Sequence, residues 1–383
     1  MNRTTTAPPD AAPAPSVSRR ELRILVGISL ATMIVMAVLA EVGARVAYPR
    51  QEENACYRPD RIRPTAGCRA SIKGAEAPWT EMAFNDCGYR SAAPCAPRPP
   101  GTRRIVLMGK SVSAGLYVRY EDYFGARIER TLTSACGFPV ESQSLGTLGI
   151  ALDRQLDILP EVLKLAPDAV VLPLEPYDVT YFADGTFDDR PPSPPIEVVD
   201  PAKVVPPHYN LVTRLRLLSR ESRALLIAQH FLLMNENFLL RAYTLGHEED
   251  TLHTPHSEAY QRRYTRLEAE LRTLSAQLRA RGVPLIVVTL PNRVQAAMIS
   301  HRINLPGADP YAFSRDLQAI GARAGVRVVD TFDRVAAQPH GERLFYAVDG
   351  HPTAEAHAIV ADVLEQSLVD GSVAAFRGCQ LPN

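Results

Sequence analysis

Arg104-Ile-Val-Leu-Met-Gly-Lys-Ser111-Val-Ser-Ala-Gly115 is the stretch on which the reading of this chain turns. Ile105 to Met108 form an unbroken apolar run, as in a strand buried on both faces. Gly109 ends the run, and Ser111 follows in a tight turn. A serine hydroxyl is a weak nucleophile until an oriented base takes its proton. Far along the chain, Phe345-Tyr-Ala-Val-Asp349-Gly-His351-Pro352 supplies an acid and an imidazole. Two residues apart in a loop, Asp349 and His351 can both turn toward one site. If the fold joins the two stretches, they make an acyl-transfer site.

Outward from this strand, apolar runs alternate with helical patterns, as in a parallel sheet with crossover helices. Strands are expected at 104–108, 140–144, 169–174, 285–290 and 326–329. Helices fit 121–134, 152–165, 257–281, 310–324 and 353–368. In the long helix Leu267, Leu271, Leu274 and Leu278 recur on one face, which reads as core. The alternation lapses between 185 and 256. There a Pro-rich loop at 190–195 leads into a helical stretch near 210–245, read as an insertion over the ligand edge of the sheet. Its apolar residues Phe231, Leu232, Leu233, Phe238, Leu239 and Leu240 are expected mainly to pack down; lining a pocket or touching membrane is the alternative.

The N-terminal part reads differently. Residues 1–18 hold almost no large apolar side chain and are expected to be a disordered tail. Ile24 to Ala40 carries no charge; at 1.5 Å per residue it spans about 26 Å, extended by Val42 to Val46. Arg19, Arg20 and Arg23 precede it. By the positive-inside rule the tail (1–23) is cytoplasmic, 24–44 is a membrane anchor, and the rest lies outside the cytoplasm. A cleaved signal peptide ending at Val38-Leu-Ala40 is the rival, disfavoured by its long leading and apolar regions. All six cysteines, Cys56, Cys68, Cys87, Cys95, Cys136 and Cys379, follow the anchor. An even number in an oxidising compartment fits disulfides, with connectivity open. Residues 45–103 are a Pro- and Cys-rich stem, 104–370 the main domain and 371–383 a tail.

The chain of 383 residues has zero formal net charge, so nothing points to a nucleic-acid partner. Four lysines stand against 38 arginines, a skew expected of a GC-rich bacterial genome. The nine histidines form no His-x-Glu-x-x-His or comparable pattern, and the cysteines no Cys-x-x-Cys; no metal or organic cofactor is expected. Gly109-Lys-Ser111 is no P-loop, because Arg104 stands where that motif needs glycine.

From about residue 84 to 368 the chain resembles the SGNH/GDSL hydrolases, particularly membrane-tethered bacterial members. Asn85-Asp-Cys-Gly-Tyr-Arg90 is similar to the segment before the family's first block. Gly109-Lys-Ser111 stands in the place of Gly-Asp-Ser. Ser144-Leu-Gly146-Thr-Leu-Gly149 resembles the second block, usually Asn-x-Gly-x-x-Gly. Glu175-Pro-Tyr177-Asp178 takes the place of Gly-x-Asn-Asp, and Asp349-Gly-His351 that of the closing Asp-x-His. The resemblance implies a three-layer α/β/α sandwich with a mostly parallel, flavodoxin-like sheet, preceded here by one transmembrane helix. It implies Ser111 as nucleophile, His351 as general base and Asp349 as its orienting carboxylate. The oxyanion donors would be the backbone N–H groups of Ser111 and Gly146.

Three positions depart from the family pattern: Lys110 replaces an Asp, and Ser144 and Tyr177 each replace an Asn. Tyr177, or Asn292 after the 285–290 strand, is the candidate for the missing third donor. Lys110 is expected to point to solvent, or else to act on a neighbouring acid. Asp178 is expected to be a structural cap, and His357 to pack. The functional expectation is an extracytoplasmic serine esterase or O-acyltransferase at a bacterial inner membrane, acting on an acylated small molecule, envelope glycan or lipid. The alternative is an impaired domain that binds glycan or serves assembly.

Overall fold

The first described element is a 29-residue helix, α1 (Arg19–Ala47). Ser18 caps it, and Glu21 returns the bond in a capping box. Its apolar side chains from Leu22 to Val46 are exposed, and it is long and apolar enough to cross a membrane. The computed structural model describes residues 18–49, 56–57, 63–74, 76–147, 155–180, 222–245 and 252–381. The expectations for residues 1–17, Gly149, the loop at 190–195 and the insertion before residue 222 lie outside the described residues.

The stem has more order than its composition suggests. β1 (Arg69–Ile72) and β2 (Thr80–Ala83) pair antiparallel, with Arg69 opposite Ala83. Disulfides Cys56–Cys68 and Cys87–Cys95 close short loops beside them. Ile72, Met82 and Phe84 form a small core with Leu116 and Tyr117 of the main domain. An Arg90–Ser144 bridge joins the stem to the sheet.

The main sheet has five parallel strands: β3 (Arg103–Leu107), β4 (Val140–Ser144), β5 (Ala169–Leu174), β6 (Leu285–Thr289) and β7 (Arg327–Asp330). Their spatial order is β4-β3-β5-β6-β7. Side chains alternate across it. Ile105, Leu107, Val171, Ile286 and Val288 face one helical layer, formed by α3 (Phe124–Cys136) and α12 (Ala354–Val369). Val106, Val170, Leu172, Leu285 and Val287 face the other, formed by α4 (Gln155–Lys164), α8 (Glu258–Arg279) and α10 (Ala312–Ala324). The leucine stripe at 267, 271, 274 and 278 lies in that second core. Disulfide Cys136–Cys379 ties the end of α3 to the C-terminal segment.

Shorter helices complete the chain. α2 (Ser111–Ala114) follows β3, α5 (Pro176–Thr180) follows β5 and α11 (Phe332–Ala336) follows β7. α6 (Arg223–Leu233) and α7 (Glu236–Leu245) belong to the insertion. α9 (Arg293–His301), absent from the sequence expectation, follows β6. It is buried from Arg293 to Ile299, so it carries no polar stripe to betray it. The legible signal is its capping box, Asn292 with Gln295.

Candidate active site

β3 ends at the ligand edge of the sheet, and Gly109 turns the chain at φ +127°. A Cβ there would lie 2.4 Å from Ser113 Oγ, so only glycine fits. Ser113 Oγ donates to Met108 O at 2.6 Å, and Gly109 N donates to Gln155 Oε1 at 3.0 Å. Ser111 then stands at the first position of α2, where its N–H has no intrahelical acceptor. Arg90, 1% exposed, donates to the carbonyls of Ala114, Gly115 and Val118. It therefore fixes the far end of α2, and burial pulls its proton affinity down.

The loop before α12 meets this turn. His351 Nε2 is 2.7 Å from Ser111 Oγ, and His351 Nδ1 is 2.5 Å from Asp349 Oδ1. Asp349 Oδ1 also accepts from His351 N at 3.1 Å. With a carboxylate on Nδ1, the neutral ring carries its proton there and offers Nε2 to the hydroxyl. The imidazole meets the Tyr117 ring edge to face, 5.6 Å between centroids. Tyr117 adopts φ +63°, a costly conformation for a non-glycine residue, and is 1% exposed. Thr80 Oγ1 and Tyr346 Oη both donate to its carbonyl.

Two residues that no motif announces hold the loop. The Glu76 carboxylate, from the stem, accepts from Val348 N at 2.7 Å and Asp349 N at 3.0 Å. Its other oxygen lies 2.6 Å from His230 Nδ1 of α6. Arg293 donates to Ala347 O at 2.9 Å, to Glu342 O and to Leu233 O. Stem, insertion and α9 thus converge on the backbone just before His351.

The remaining expected residues divide. Lys110 does not point to solvent: its Nζ lies 2.6 Å from Asp178 Oδ1. Asp178 also accepts from Glu175 N, the expected cap. Gly146 needs to be glycine because a Cβ would lie 2.2 Å from Ala114 N. The close approach is thus to the α2 backbone, and Gly146 N–H is given to Ser144 Oγ at 3.2 Å. Ser144 Oγ in turn donates to Ser113 O. Asn292, expected as a substitute donor, serves the backbone instead. At 3% exposure it caps α9 through Gln295 N. Tyr177, half-buried on α5, has its phenol within electrostatic reach of Arg293. His357 packs as expected, stacked on Phe124, and burial holds its ring down to about 3. Glu175 is pushed up to about 7, by burial first and by Asp178 second; His351 and Lys110 oppose the shift. His301, His340 and Glu342 bring ligand atoms within 4.8 Å of one another, a cluster separate from Ser111, His351 and Asp349.

No protein-family model and no curated protein matches this chain. Among solved structures, it is similar to a lipase/acylhydrolase from Enterococcus faecalis, at 13% identity over 70% of this chain and 95% of that one, TM-score 0.40. It is similar to a putative lipolytic protein of the G-D-S-L family from Desulfitobacterium hafniense DCB-2, at 11% identity over 69% and 98%, TM-score 0.36. A phospholipase A1 from Streptomyces albidoflavus NA297 compares at 12% identity over 69% and 98%, TM-score 0.36. Likeness at this level adds nothing to the chain's own topology. The strand order, the two helical layers and a serine turn at the carboxyl end of β3 make this a three-layer α/β/α fold on a parallel, flavodoxin-like sheet.

Proposed function

We propose that this chain is a serine ester hydrolase or O-acyltransferase working through an acyl-enzyme on Ser111. The observation that carries the reading is the continuous line from Asp349 through His351 to Ser111 Oγ. Ser111 Oγ attacks the ester carbonyl as its proton passes to His351 Nε2. The oxyanion is met by Ser111 N–H, and by Gly146 N–H once that group turns from Ser144 Oγ. The carbon–oxygen bond to the leaving alcohol breaks, and the imidazolium returns the proton to it. Water or a sugar hydroxyl then attacks the acyl-serine, again giving its proton to His351 Nε2. The bond from the acyl carbon to Ser111 Oγ breaks, the imidazolium returns its proton to Oγ, and the carboxylic acid or the new ester leaves. Asp349 keeps the ring oriented and stabilises its cation.

We further propose that α1 is a retained single-pass anchor, with the main domain outside the cytoplasm of a bacterial inner membrane. Three disulfides, all beyond α1, support an oxidising compartment. An envelope glycan or lipid ester is the substrate class such a position offers. The test is labelling with a fluorophosphonate, which phosphonylates an activated serine and releases fluoride. Wild-type protein is expected to label, and Ser111→Ala to abolish it. Folded wild type that does not label overturns the reading and favours a non-catalytic glycan-binding or assembly domain.

A further inference from the structure

We propose that α6 and the start of α7 lie on the outer surface of the same bilayer that α1 spans, giving the domain a second membrane contact. This rests on the reading of α1 as a membrane anchor. From Ala224 to Asn235 the sequence holds no Asp, Glu, Lys or Arg. Leu225, Phe231, Leu232, Met234 and Phe238 all face outward, Phe231 at 69% exposure. Contiguous apolar surface of this kind marks an interaction site.

The helix pair is not simply undocked. Leu239 and Leu240 are buried with Leu252, Val294 and Met298, and Leu233 packs against them. One side thus serves a core, while Leu225, Phe231, Leu232, Met234 and Phe238 on the other keep more than a third of their surface exposed. Of Phe231, Leu232, Leu233, Phe238, Leu239 and Leu240, expected mainly to pack down, Leu233, Leu239 and Leu240 do so, whereas Phe231, Leu232 and Phe238 stay exposed.

The position of α6 says what covers the outer side. Glu41 of α1 accepts from Ser222 Oγ at 2.8 Å, Arg223 N at 3.2 Å and Ala224 N at 3.0 Å. This carboxylate caps the α6 N-terminus, where orphan N–H groups and the helix dipole favour negative charge. Ala224 and Leu225 line one crevice with Ala37 and Ala40. Those alanines close the uncharged stretch of α1, so α6 begins level with the outer end of the span. A helix there with an apolar outer side lies in the boundary between headgroups and acyl chains. Arg223 is buried, so the contact is apolar and needs no anionic lipid. From the same helix His230 reaches Glu76, which holds the loop carrying Asp349. The bilayer contact and the candidate active site are therefore linked through two side chains.

The experiment places an indole in the full-length protein in phosphatidylcholine nanodiscs. Trp79, the single tryptophan, is first replaced by Phe. Phe231→Trp reports on α6, and Val35→Trp in a separate protein reports on α1. Both positions are exposed, and far-UV circular dichroism checks the helices; Leu232→Trp serves if Phe231→Trp does not fold. Acyl-brominated phosphatidylcholine is expected to remove about half or more of the emission at 231 and at 35, as for indoles below the headgroups. Water-like, unquenched emission at 231 with quenching at 35 overturns the proposal and leaves the anchor standing. Blue-shifted but unquenched emission at 231 means a second protein copy covers the helix, and also overturns it. Quenching at neither position removes the anchor reading and this proposal together.

Discussion

Ser111 sits in a turn that its own strand sets and that Arg90 and Gln155 brace, whereas the loop bearing His351 is held by side chains from three distant parts of the chain. On the serine side, β3, Gly109 and the Ser113–Met108 bond set the turn within a short local stretch. On the histidine side, Glu76, Arg293 and Tyr117 hold a loop that its own backbone closes only through an isolated Phe345–Pro352 bridge and a tight turn. The two sides should therefore fail differently. Damage around α2 should unfold a tightly bonded turn; damage around the loop should leave the fold and misplace the base.

Arg90→Ala tests the first half and carries the largest expected effect. It leaves the carbonyls of Ala114, Gly115 and Val118 without their buried donor. The expected loss is about 3–5 kcal/mol, measured by chemical denaturation. Arg90→Lys should recover little, because one ammonium cannot serve the same fork. A loss under about 1 kcal/mol would mean that the turn holds without it.

Glu76→Gln tests the second half. The amide oxygen can keep both backbone N–H groups, but the carboxylate's charge is lost and an NH2 replaces the oxygen that faces His230 Nδ1, so the pull on the loop weakens. Because small displacements of a catalytic group are costly, the fluorophosphonate labelling rate should fall about 10- to 100-fold. Stability should move by no more than about 1 kcal/mol. Glu76→Asp, one methylene shorter, should rescue only part of the rate. If Glu76→Gln lowers stability and leaves the rate alone, the contrast between the two sides is wrong.

The same contrast explains what is legible in the sequence. β3, β5 and β6 are readable because burial on both faces leaves apolar runs, whereas β4 (Val-Glu-Ser-Gln-Ser) and the half-buried β7 carry no such run and rest on the alternation of elements; the observed bounds differ from expectation by at most one residue. Ser111, Asp349 and His351 are readable because they sit in short local motifs. Glu76 is not: it lies in a Pro-flanked stem segment, and its partners are backbone N–H groups, which leave no mark on sequence. Arg293 escapes for a related reason, since it bonds only carbonyls and lies on a helix without a polar stripe. Asn292 stands out for its side-chain type, but that amide serves the helix start. Lys110 defeats a sequence reading because its partner, Asp178, is distant in sequence and close only across the sheet edge.

Glu175→Gln should have the smallest effect and sharpens the comparison most, because Glu175 lies between the two sides. Burial and Asp178 push its carboxyl up to about 7, so it titrates where the imidazole must act. As pH rises through that value, Glu175 gains a negative charge that interacts with His351, alongside Asp349 and Asp178 and against Lys110. Negative charge nearby raises the proton affinity of an imidazole. Glutamine stays neutral, so the acid limb of the labelling rate should move to lower pH, by about 0.3–0.5 unit. The stability sign is fixed as well. A carboxyl raised above its unfolded value of about 4.3 stabilises the fold at low pH and loses that contribution as pH rises through about 7. Wild type should therefore lose stability relative to Glu175→Gln across that window. An acid limb that stays fixed or moves upward would show that the charge does not reach the base. The histidine side would then be tuned by its loop contacts alone.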